Sequence, residues 1–92
     1  MLPPAARLIE RESAFRQGSC FHDFMDKPCA PGDACAYDAL GAIFNAYRNT
    51  DPENRHLAAK RAFALCRARY GHAMLGKLIW EQALELLTDA DC

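Results

Sequence analysis

The sequence contains no valine, only three isoleucines (Ile9, Ile43, Ile79) and only two threonines (Thr50, Thr88). Stiff β-branched side chains are the usual occupants of strands, so a sheet has little here to be built from. Alanine and leucine together supply 27 of the 92 residues, and both lose little side-chain freedom in a helix. The composition predicts an all-α fold.

Other absences bear on function. No run approaches the ~20 apolar residues of a membrane-spanning helix. The opening Met1-Leu2-Pro3-Pro4 has no basic segment leading into an apolar core, and Arg7, Glu10, Arg11 and Glu12 would interrupt one. The expectation is a cytoplasmic protein with reduced thiols and no membrane contact. Five cysteines, an odd number, fit a closed disulfide framework poorly. Neither sign of charge is in excess: 11 basic residues face 12 acidic ones, for a net charge of -1. That excludes a strongly basic nucleic-acid coat protein and an acidic disordered tail. There is no glycine-rich phosphate loop, nucleophile elbow or HExxH metal motif, so no enzyme is expected. Cys20 and His22 would form a nucleophile–base dyad only if the fold brought them together in space.

What is present reads as one domain over residues 1–92, with room for a single modest core and little for an enclosed active site. Four helices are predicted. The first covers residues 4–17, with Pro4 in its first turn, Ala5, Leu8, Ile9 and Phe15 on one side and Gly18 as its stop. The second covers residues 33–48, capped by Asp33, with Leu40, Ile43, Phe44 and Tyr47 at helical spacing. Gly41 inside it allows a close approach by another helix. Asn49 in the left-handed conformation would end this helix, and Asp51 and Pro52 would start the next.

The third helix covers residues 52–70. Ala59, Ala62, Phe63, Cys66 and Tyr70 form one apolar stripe on it, and Leu57, Ala58, Ala64, Leu65 and Ala68 a second. A helix apolar on two sides is expected to be sandwiched by its neighbours. The fourth covers residues 73–87 and turns Met74, Leu75, Leu78, Ile79, Ala83, Leu86 and Leu87 inward, followed by a frayed tail over 88–92. Gly71 either separates the last two helices or kinks one long helix.

The segment over residues 18–32 is irregular, with two prolines and two glycines. It carries Phe21, Phe24 and Met25, which a short helical turn at 20–26 would place on one side as a partner-binding surface. Cys20, His22, Cys29 and Cys35 fall within 16 residues, and thiolate with imidazole makes a good zinc ligand set. Their spacing lacks the short paired knuckles of familiar zinc modules, and buried free cysteine is the plainer reading. A Cys29–Cys35 disulfide would need an oxidising compartment.

Charge is also uneven. Residues 52–72 hold Arg55, Lys60, Arg61, Arg67 and Arg69 against Glu53 alone. Lys60 and Arg67 share one side of the helix, the set a DNA-binding transcriptional regulator would use. The alternative is that these cations pair with acidic neighbours across the bundle. The functional expectation is a non-enzymatic regulator, adaptor or accessory subunit that binds a protein partner or a second copy of itself. A zinc-stabilised module and a DNA-binding regulator are the alternatives.

Overall fold

The computed structural model describes residues 2–18 and 20–90. Helices dominate: α1 (Pro4–Leu8), α2 (Ala39–Ala46), α3 (Pro52–Tyr70) and α4 (Trp80–Ala90). Three short 3-10 turns, Glu12–Ala14, Pro31–Asp33 and Leu75–Lys77, link them. A two-stranded antiparallel ribbon, β1 (Phe21–His22) and β2 (Ala36–Tyr37), pairs Phe21 with Tyr37 and His22 with Ala36. The protein is thus a mostly helical small domain with a minimal sheet rather than a pure four-helix bundle.

Each departure from the predicted elements has a physical cause. α1 ends at Leu8, not at residue 17. On a continuous helix Ile9 and Phe15 would sit about 120° apart at 3.6 residues per turn, so both could not face one core. Breaking the helix buries both, Ile9 at 0% and Phe15 at 8% exposure. The chain then pairs beside β2, where Arg16 N–H donates to the Tyr37 carbonyl.

α2 begins at Ala39, not at residue 33, and Asp38 replaces Asp33 as its cap by accepting from Gly41 N–H at 2.8 Å. The residues expected in its first turns, Ala36 and Tyr37, form β2 instead. Their strand is held by cross-strand pairing, with the Phe21 and Tyr37 rings edge to face at 6.4 Å. A ribbon two residues long does not need the β-branched residues that the sequence lacks. Asn49 is not left-handed, because Asp26 is the sole non-glycine with positive φ among the described residues. A turn closed by Thr50 N–H and Oγ on the Tyr47 carbonyl makes the connection instead.

α3 has the predicted bounds. Asp51 caps it by accepting from Asn54 N–H at 2.9 Å, Pro52 opens it, and Gly71 at φ 74° closes it. α3 and α4 are therefore separate helices. α4 starts seven residues later than predicted, because the chain first makes the 3-10 turn that buries Leu75 and Leu78. Met74 and Ile79, expected inward, are exposed. Thr88 and Ala90 are helical rather than frayed, and residues 91 and 92 of the predicted tail lie outside the described residues.

The core joins Ile9 of the α1 end, Ile43 of α2, Ala62 and Cys66 of α3, Leu75 and Leu78 of the 3-10 turn, and Leu86 and Leu87 of α4. α3 is not sandwiched: only Ala62 and Cys66 are buried on it, Phe63 is half-buried, and Leu57, Ala64 and Ala68 face outward. The close approach at Gly41 is made by the chain before β1 rather than by a helix. A Cβ there would collide with the Cys20 carbonyl.

Candidate functional site

β1 runs directly into a tight turn over residues 23–27. Asp23 organises it: its Oδ1 accepts from Met25 N–H at 2.9 Å and from Lys27 N–H at 3.1 Å. Its backbone N–H donates to the Lys27 carbonyl, and its carbonyl accepts from Asp26 N–H. This is the local side-chain-to-backbone bonding that suits aspartate to turns. Asp26 takes φ 60°, a left-handed conformation that aspartate tolerates, and its carboxylate holds Arg16 Nε at 2.8 Å. At the tip of this braced turn Phe24 is 85% exposed and Met25 60%. The predicted helical turn at 20–26 does not form. Phe21 is instead half-buried against the core and meets Tyr37 edge to face.

His22 belongs to β1, Cys20 immediately precedes β1, and Cys35 immediately precedes β2. Cys35 N–H donates to the His22 carbonyl at 2.7 Å, and Cys29 N–H to the Phe21 carbonyl at 3.3 Å. Among the described residues no three His, Cys, Asp or Glu side chains gather closely enough to hold a metal ion. Cys20, Cys29, Cys35 and Cys66 are free thiols, so the Cys29–Cys35 disulfide does not form. Desolvation pushes the Cys20 thiol up, and the Asp38 carboxylate adds to it. Partial burial likewise raises Cys29, helped by Asp23, Asp33 and Cys35. Both surroundings favour the protonated thiol over the thiolate in the metal-free protein. His22 Nδ1 is buried and has no hydrogen-bond partner in the structure.

Comparison with protein-family models, curated proteins and solved structures finds no match. The functional reading therefore rests on the chain's own geometry.

Lys60 and Arg67 do share an outward face of α3, together with His56, Ala59, Phe63 and Ala64. The cross-bundle pairing expected for the cations forms once among the described residues, between Arg69 and Asp89. Arg55, Lys60, Arg61 and Arg67 have no ion pair there. No helix among the described residues is long and apolar enough to cross a membrane.

Several structural roles were not assigned from sequence. Asp38 is the one buried charged residue among those described. Its signal was present as a helix cap three residues before Gly41, but Asp33 offered the same signal nearer to a Pro-Gly break. Trp80 Nε1 donates to the Ile9 carbonyl at 2.7 Å across 71 residues, a pairing that no local pattern announces.

Proposed function

We propose that this protein is a non-enzymatic binding module, a regulator, adaptor or accessory subunit, that grips a protein partner through the Phe24–Met25 turn. The observation that carries this reading is Phe24, 85% exposed at the tip of a turn braced by the Asp23 carboxylate and the Arg16–Asp26 pair. An exposed phenylalanine in a floppy loop would lose much of its binding energy to ordering. One on a preorganised turn loses little. Burying Phe24 and Met25 in a partner would contribute about 1.5–3 kcal/mol each from apolar area. Aromatic anchors of this kind are common centres of protein interfaces.

Self-association through α3 is a weaker form of the same idea. A two-fold contact through Lys60, Phe63 and Arg67 would set like charges against each other. Capture from the native cell by the parent and by the Phe24→Ser/Met25→Ser variant tests the proposal. Both side chains are exposed, so the variant should melt as the parent does. The expected result is one stoichiometric protein retained by the parent and lost by the variant. Equal capture by both would overturn the proposal. Capture lost instead with Lys60→Glu/Arg67→Glu would move the contact to α3, and if the captured molecule were nucleic acid, to the DNA-binding reading.

A further inference from the structure

A concave feature also adjoins β1. Phe21 of β1, Phe44 of α2 and Pro31 of the 3-10 turn form the floor of an open cleft of about 240 Å³, with Cys20 at one edge. Arg48, just beyond α2, and Arg55, in the first turn of α3, complete its rim. Phe44 is 45% exposed although its neighbours Ala42 and Ile43 are buried. Neither arginine has an ion pair among the described residues. Asp51, three residues after Arg48, has both carboxylate oxygens on Asn54, at 2.9 and 3.2 Å, and Glu53, two residues before Arg55, makes no ion pair among the described residues. Arg48 Nη1 stands 3.1 Å from where a Cβ on Gly32 would lie, so residue 32 leaves just enough room for the guanidinium.

We infer that this cleft binds a small organic carboxylate bearing one aromatic or branched apolar group. The apolar floor calls for a hydrocarbon body, and the two guanidinium groups call for an anion. A planar carboxylate matches the arginine fork in two parallel hydrogen bonds. An inorganic anion would leave the phenylalanine floor uncovered, and a neutral ring would leave the arginines without a counter-charge. The cleft has room for one ring and a short chain. It is smaller than the pockets of drug-sized ligands. This inference is independent of the Phe24 turn.

Titration of the 15N-labelled protein at low salt with 3-phenylpropionate, with 3-phenylpropionamide as its neutral isostere, tests it. The carboxylate should give saturable shifts centred on the amides of Phe21, Phe44, Arg48 and Arg55, with a dissociation constant of about 1 mM or below. The amide should bind roughly tenfold more weakly or worse, the loss expected when one charge-assisted pair is absent. Arg48→Gln/Arg55→Gln should reduce carboxylate binding by a similar factor, and Phe44→Ala should reduce binding of both probes. All three positions are at least partly exposed, and an unchanged amide spectrum elsewhere would show that the variants are folded. No saturable shift at about 10 mM, equal binding of the two probes, or shifts centred elsewhere would overturn the assignment. The parent titration decides the question even if a variant fails to fold.

Discussion

Asp38 shows how a single residue can act at once as a structural pin and a liability. Its Oδ1 caps α2 through Gly41, yet only 2% of the residue is exposed, and desolvation raises its pKa above the ordinary 3.8. The bonds from backbone N–H groups and the nearby His22 charge pull the other way without cancelling that shift. A carboxyl whose folded pKa is raised binds its proton more tightly in the native state. Its contribution to stability is therefore fully present below the unfolded value and falls as pH rises toward the folded one. Asn is as good a cap as Asp and carries no charge. Asp38→Asn should therefore gain stability relative to the parent as pH is raised from 3 to 7, whereas Asp38→Ala should lose about 1 kcal/mol or more at every pH. Urea melts at three pH values check this. A parent–Asn difference that stays flat or reverses with pH would refute the burial argument. Asp51 was legible in the sequence because Pro52 follows it. Asp38 was not, since local capping rules cannot tell which of two aspartates the ribbon will leave at the start of the helix.

At the scale of elements, punctuation was legible and periodicity was not enough. α3 has its predicted bounds because Asp51-Pro52 and Gly71 mark both ends with backbone chemistry. The sequence pattern overextends α1 and α4 because an apolar spacing of three or four residues is shared by a continuous helix and by a short helix followed by a 3-10 turn. What breaks the tie is the core itself, which must bury Ile9 with Phe15 and Leu75 with Leu78. The same limit applies to the two stripes of α3. Their spacing was right, but which stripe faces inward depends on where α4 docks. Ala62 and Cys66 took the centre, and Phe63 was left at the margin. Phe63→Ala should accordingly cost only about 1–2 kcal/mol, less than the 3–5 of a fully buried ring. Leu78→Ala, at 1% exposure, should cost about 2–5 kcal/mol. Chemical denaturation of the two variants ranks them, and a Phe63 loss equal to or above that of Leu78 would contradict the assignment of the inward face.

The whole molecule is held by contacts between distant parts of the chain, and Trp80 is the clearest of them. It is the only tryptophan, it opens α4, and its indole N–H bonds the carbonyl of Ile9, the residue that caps the C-terminus of α1. A carbonyl at a helix C-terminus has no partner within its own helix, so a side chain from the far end of the chain supplies one. The first and last helices are thereby joined over the buried Ile9, Leu86 and Leu87. With the two ends so tied, unfolding should be a single all-or-none transition. Trp80 fluorescence and the far-UV circular dichroism of the helices should then melt together, even though α3, the longest helix, carries much of the dichroism. Trp80→Phe keeps most of the ring packing but leaves the Ile9 carbonyl without its donor, a loss of about 1–2 kcal/mol. In a domain of this size each kcal/mol lowers the midpoint by roughly 4–8 °C. A fluorescence transition well below the dichroism transition would mean that the α1–α4 seam opens independently. A Trp80→Phe variant melting with the parent would mean that the bond contributes nothing to holding it closed.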